Sequence, residues 1–206
     1  MTYSEQYKRS LHRLGYYDYQ LGLIHRHLNQ DEGWNSHLSA CRNYILNAVA
    51  EIKPVKVTVL GSGWLLDLPL AELLEAGIKV TLIDIVHPPE AYDQTATLAG
   101  VELIEDDATG GLVQELGDKA GKLPFFKRLK SLEGITVPVY ELKNPGLVIS
   151  LNILSQLDVL PVRFLRNKST VKDEELFSFR KMIQDNHLMF LSKHHSLLIT
   201  DISEVF

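Results

Sequence analysis

From Val55 onward, short β-branched runs alternate with segments whose apolar residues recur every three or four positions. The runs predict five strands, at Val55 to Leu60, Lys79 to Ile85, Val101 to Glu105, Leu147 to Leu151 and Leu197 to Thr200. Glu102 and Glu105 make the third less apolar than a central strand would be. Leu68 to Glu75 predicts a helix closed by Gly77, and Lys172 to Ser192 a long one. Between the third and fourth strands, Leu112, Val113 and Leu116 fit a short helix and Phe125, Phe126, Leu129 and Leu132 another. Ile135, Val137 and Val139 fit an added extended segment. Apolar strands alternating with helices imply βαβ units, hence a mainly parallel sheet covered on both faces: an α/β three-layer sandwich.

The first fifty residues follow a helical period throughout. Leu11, Leu14, Leu21, Ile24 and Leu28 predict one helix, bent near Gly15. Leu38, Cys41, Ile45, Ala48, Val49 and Ile52 predict a second, with Gly33 marking the turn between them. This divides the chain into an N-terminal helical extension, residues 1–53, and an α/β domain, residues 54–206. The sequence stops shortly after the fifth strand, at Phe206, and an open strand edge must be covered. A partner such as a second copy in a homodimer, a preceding segment or further sequence would each serve.

Composition narrows the function classes. A hydrophobic fraction of 45% and a charged fraction of 23% are those of an ordinary globular chain. The formal charge of -5 provides no basic field for a phosphate backbone, which disfavours nucleic acid as a partner. The lone Cys41 cannot form an internal disulfide. No apolar run reaches the ~20 residues that span a bilayer and none resembles a secretion signal, so a cytoplasmic location without membrane partners is expected.

In a doubly wound sheet, ligands bind at the carboxyl ends of the strands. The predicted strands end in Gly61-Ser62-Gly63, Asp84, Asp106-Asp107, Asn152 with Ser155-Gln156, and Asp201. Gly61 suits a tight turn, and Gly63 lets backbone amides approach a ligand. Asp84 follows Gly63 by 21 residues, where a carboxylate can accept both ribose hydroxyl hydrogens. Asp106 or Asp107 can accept from an adenine amino group. A ligand-free turn, a helix cap or a solvated carboxylate is the plainer reading of each residue taken singly. A dinucleotide fingerprint fails at Leu66, where its third glycine would stand, and no mononucleotide phosphate loop occurs.

With these strand ends the chain resembles the class I S-adenosylmethionine-dependent methyltransferases, a Rossmann-like family. The resemblance covers roughly Val55 to Phe206. It implies S-adenosylmethionine as cofactor, with Gly61, Ser62 and Gly63 lining the methionine moiety, Asp84 on the ribose, and Asp106 or Asp107 at the adenine. Ser150 to Leu157 would line the reaction centre. Three departures stand out: Val59 replaces an acidic residue two positions before the first glycine, Leu65 replaces a third loop glycine, and the terminal hairpin has no counterpart before Phe206. A shortened fold is therefore expected.

Asn152, Ser155 and Gln156 interrupt an apolar run and would be costly to bury unpaired. Asn152 is the candidate to point into the pocket, the other two facing substrate or capping the next helix. His87 sits on a stiff loop before Pro88 and Pro89, near the ribose site, where it acts as a base, packs over the cofactor or, in the plainer reading, has no role. Asn152 and His87 are thus the candidate catalytic residues. Tyr16, Tyr17 and Tyr19 either close over the cofactor or pack as an amphipathic face. His12, His25, His27 and His37 form no evident zinc spacing with carboxylates, so no metal is expected. Ser155 lacks a nucleophile elbow. The reading that results is methyl transfer to a small-molecule or protein acceptor. Its rival is a non-catalytic Rossmann-like protein that binds an adenosyl ligand or a protein partner.

Overall fold

The computed structural model describes residues 3–29, 33–124 and 126–201, without the side chains of 23–29 and 33–34. Five strands form one wholly parallel sheet: β1 (Lys56–Leu60), β2 (Lys79–Asp84), β3 (Val101–Glu105), β4 (Leu147–Leu151) and β5 (Ser196–Ile199). Their spatial order is β3-β2-β1-β4-β5, so strand order reverses between β1 and β4. All five residues of β4 and the last four of β1 are buried, which is why both read as unbroken apolar runs. The two glutamates of β3 match its place at the sheet edge.

Helices cover both faces, giving the expected α/β Rossmann-like three-layer sandwich. On one face, Val57, Val59, Leu82 and Ile149 pack against Ile45 of α3 (Gly33–Ile52) and Leu73 of α4 (Leu70–Glu75). The short α5 (Pro89–Thr95) joins them through Ala91. On the other face, Leu60, Ile83 and Val148 meet Phe190 and Leu191 of α8 (Asp173–Leu191). A further cluster unites α8 with α6 (Leu112–Lys119), α7 (Val159–Lys168) and α1 (Glu5–Leu14).

The helix expected across Gly15 is divided there. Ser4 caps α1 by accepting from the Tyr7 amide at 3.2 Å, and Gly15, at φ 88°, ends it in the left-handed conformation. α2 (Tyr16–Asn29) begins at the next residue. Leu11 and Leu14 are fully buried, and α1 lies so close to α6 that Ser10 occupies the space a side chain on Gly117 would need. α1 and α3 thus belong to the same apolar clusters as the α/β elements.

Two expectations change between β3 and β4. Residues 126–132 form no helix; Leu129 instead makes an isolated parallel bridge to Ser169, its amide donating to Lys168 O at 2.9 Å. Leu132 and Ile135 still reach the α1, α6 and α8 cluster, so apolar spacing here reflects packing of an irregular chain. Phe125, also assigned to that helix, lies outside the described residues. Ile135, Val137 and Val139 join no sheet. Two buried polar groups of the sheet are paired: Thr58 donates to Pro145 O at 2.6 Å, and Ser150 bonds His187 of α8 at 2.9 Å. No helix among the described residues is long and apolar enough to cross a membrane.

Candidate functional site

The carboxyl ends of β1, β2, β3 and β4 open onto one cavity of about 210 Å³, roofed by side chains of α2 and α3. It straddles the β1/β4 reversal, where the fold leaves a crevice. Gly61, Ser62, Gly63, Asp84, Asp106, Asp107 and Asn152 all line it. His87 does not.

Gly61, at φ 80°, is required by packing: a Cβ there would strike the Ile153 side chain and approach Leu151 O to 2.7 Å. The β1 loop is thereby drawn against the end of β4. Gly63, at φ 44°, turns its amide onto Asp84 Oδ2 at 2.8 Å, and a Cβ there would only touch that same oxygen, at 3.8 Å. The Ser62 hydroxyl is buried and bonds His87 Nε2 at 2.9 Å. His87 is only 4% exposed, and burial lowers its imidazole to about 4, so the ring is neutral at pH 7. The expected catalytic base is therefore a buried partner of the loop; Pro88 and Pro89 carry the chain away while the ring turns inward.

Asp84 closes β2 with its carboxylate in the cavity wall. Oδ1 accepts from the Ile85 amide at 2.8 Å and from Gln20 Nε2 at 3.2 Å, while Oδ2 accepts from Gly63. Burial outweighs these hydrogen bonds and raises its carboxyl to about 6. Asp106 accepts from Tyr140 OH at 2.7 Å. Asp107, 5% exposed, accepts from the Thr109 amide and hydroxyl and from the Val113 amide, so it ties down the start of α6. Burial raises its carboxyl as well.

Asn152 adopts a left-handed backbone, φ 56°, just past β4, and its amide nitrogen donates to Asp67 Oδ2 at 2.7 Å. The same nitrogen lies 3.4 Å from His37 Nε2. Ser155 and Gln156 lie in the turn before α7, whose N-cap is Asp158; Gln156 lines the cavity. Of the three tyrosines, Tyr16 and Tyr19 line the cavity, whereas Tyr17 packs on His12 with ring centroids 4.3 Å apart.

Sequence reasoning missed Gln20, Trp64 and Asp67 and left His37 among scattered histidines. Trp64 Nε1 donates to Gln20 O at 3.2 Å, pinning α2 to the β1 loop. His37 and Cys41 stand one turn apart on α3, and folding brings both to Asp67. The i, i+4 histidine and cysteine were legible as one helix face; the distant aspartate was not.

The chain matches no protein-family model and no curated protein. Solved structures similar to it include two methyltransferases. One is 1,6-didemethyltoxoflavin-N1-methyltransferase of Burkholderia thailandensis, with bound 1,6-didemethyltoxoflavin and S-adenosylhomocysteine: 16% identity, TM-score 0.41, covering 82% of this chain and 61% of that one. The other is the plantazolicin methyltransferase BpumL in complex with a pentazolic desmethylPZN analog and SAH: 11% identity, TM-score 0.35, covering 93% of this chain and 75% of that one. The chain thus spans about three-fifths of the length of the toxoflavin enzyme.

Proposed function

We propose that the protein binds S-adenosylmethionine in this cavity and transfers its methyl group to a small-molecule or protein acceptor. The observation that carries the reading is Asp84: a carboxylate at the end of β2, facing a cavity at the strand-order reversal, beside the glycine loop of β1 and the acidic end of β3. A ribose diol would be accepted by Asp84, and an adenine amino group by Asp106, whose tie to Tyr140 leaves it on the cavity wall. Asp107 acts through the loop it holds, which sets where Asp106 stands.

When bound, the cofactor supplies an electrophilic methyl on sulfonium, ready for in-line attack by an acceptor lone pair. The chain's own work is positional. Gly61 lets the β1 loop close against β4, Tyr16 and Tyr19 exclude water from above, and Asn152 with Asp67 presents hydrogen-bonding groups at the far end of the cavity. The cavity lies below the roughly 300–1,000 Å³ of small-molecule sites. Binding therefore requires the α2 side chains, Gln20 first, to withdraw.

A non-catalytic adenosyl-binding protein of the same fold is favoured by one observation: His87, the expected base, is buried away from the cavity. Calorimetric titration of the full chain with S-adenosylmethionine, S-adenosylhomocysteine and oxidised nicotinamide dinucleotide tests both readings. Binding of the sulfur ligands alone is expected, with at least a tenfold loss, about 1.4 kcal/mol, in Asp84→Ala. Failure of both sulfur ligands to bind below millimolar concentration would overturn the proposal. Tight binding with no methylated product from any acceptor tried would favour the non-catalytic reading.

A further inference from the structure

The second constellation at the cavity is not needed for an adenosyl ligand. Cys41 Sγ lies 3.4 Å from His37 Nε2, and the nearest donor atoms of His37, Cys41 and Asp67 all fall within 4.8 Å of one another. A tetrahedral zinc with ordinary Zn–S and Zn–N bonds sets its sulfur and nitrogen ligands about 3.6 Å apart. The helical pair already has that spacing. Closing Asp67 onto the same centre takes rotation of one loop side chain whose carboxylate is held by Asn152.

We propose that His37, Cys41 and Asp67 bind one divalent cation of the zinc class, with Asn152 beside the fourth position. Three features support this beyond proximity. The donor set of imidazole, thiolate and carboxylate carries two negative charges, which balance a divalent ion. The Asn152 Oδ1 is buried and meets no donor among the described residues, while its amide nitrogen occupies the space between Asp67 and His37. A cation there would repel the amino group and turn the amide over, so that Oδ1 becomes an available ligand. Finally, His37, Asp67 and Asn152 line the cavity and Cys41 does not, so the fourth position opens toward the space an acceptor would enter. Arg42, the neighbouring cation, is directed onto Leu66 O at 2.7 Å, and Asp201 adds a further acidic group to the cavity wall.

Cys41 as a covalent nucleophile fits less well. It is 4% exposed and lies behind His37 rather than on the wall, and burial raises its thiol. The cation site does not rest on the methyl-donor reading, because its ligands are separate from Asp84, Asp106 and the glycine loop.

The test uses the full-length, untagged chain, stripped with chelator and titrated with zinc against a competing chelator and with cobalt(II) by absorption. One equivalent of zinc is expected to bind with submicromolar affinity. The cobalt form should show a thiolate-to-metal charge-transfer band and the intense visible bands of a four-coordinate ion. Cys41→Ser should abolish the charge-transfer band, and His37→Ala and Asp67→Asn should each weaken zinc binding by tenfold or more. No saturable binding below about 10 µM, or roughly −7 kcal/mol, would overturn the proposal. So would a cobalt spectrum of the unsubstituted chain without the charge-transfer band, an outcome that needs no variant to fold. Zinc binding without any sulfur ligand, unchanged by all three substitutions, would place the ion at other histidines and likewise refute the site.

Discussion

Gln20 occupies acceptor capacity that a ribose would need, and its removal should strengthen ligand binding. An ionised carboxylate offers about four lone-pair sites. Asp84 already accepts from Gly63 N–H at 2.8 Å, Ile85 N–H at 2.8 Å and the Gln20 amide at 3.2 Å, and the Val86 N–H also hydrogen-bonds to it. A ribose diol brings two more donors, which exceeds what the carboxylate can accept. The backbone donors are fixed by the β1 and β2 turns, so the Gln20 amide is the one that must leave. Hydrogen bonds to charged groups are worth about 1.5–3 kcal/mol, and this long, side-chain-mediated one belongs below that range, near 1 kcal/mol. Gln20→Ala should therefore tighten S-adenosylhomocysteine about fivefold.

Stability should not confound the measurement. The Gln20 Oε1 is buried with no partner among the described residues, so the substitution also deletes an unpaired acceptor. The Trp64 contact is to the Gln20 backbone carbonyl and persists in the variant. Calorimetry on the unsubstituted chain, Gln20→Ala, Asp84→Asn and the double variant completes a cycle. The gain should appear beside the native Asp84 and vanish in the Asp84→Asn background, where a side-chain amide cannot accept two hydroxyls. Equal tightening in both backgrounds, or weaker binding by Gln20→Ala alone, would refute competition for Asp84.

Binding should also depend on pH through the same carboxylate. With its value near 6, Asp84 passes from mostly ionised at pH 7 to mostly protonated at pH 5, so affinity for S-adenosylhomocysteine should fall about tenfold over that interval. The folded value lies above the unfolded 3.8, so the Asp84 contribution to stability declines as pH rises from about 4 to about 6, opposite to its effect on binding. Gly61→Ala adds a Cβ against Ile153 and forces a side chain into φ 80°; thermal unfolding should show a loss of about 3 kcal/mol, or roughly 6–12 °C. Gly117→Ala should push α1 from α6 at a cost of about 1–3 kcal/mol, because its Cβ would approach Ser10 Cβ to 2.7 Å. Adding Ser10→Gly should recover most of that loss, and strict additivity in denaturant titrations would disprove the contact.

The strands were legible because most of their residues are buried on both faces, which leaves uninterrupted apolar runs. The edge position of β3 was legible for the complementary reason, through Glu102 and Glu105. Two helices were not bounded in advance. α5 is seven residues long and starts at a Pro-Pro pair, too short for a period to emerge, and α7 carries Pro161 in its first turn among mixed polar residues. Leu65 shows the reverse situation. It reads as a departure from a loop glycine, yet its backbone keeps φ 62°, with its amide bonded to Ser62 O at 2.9 Å. The left-handed turn persists, and a side chain 6% exposed in the core offsets its strain of about 1–2 kcal/mol.

The candidate site divides along the same physical line. Residues at or just past the last position of a strand, namely Asp84, Asp106 and Asn152, were legible in advance because a parallel sheet brings all its carboxyl ends to one side. Residues whose position follows from tertiary packing were not. Gln20 meets Asp84 across 64 residues and Asn152 meets Asp67 across 85, distances over which no local period carries information. His87 failed in the opposite sense: its place in the chain is beside the site, but a side chain just beyond a strand can turn to either face, and Ser62 with its buried hydroxyl supplies the partner that turns it inward. Strand ends therefore locate the cavity, while the helices folded over it decide what the cavity can hold. That is why Gln20 on α2 governs access to Asp84, and why His37 and Cys41 on α3 can add a cation to a site whose floor alone gives no sign of one.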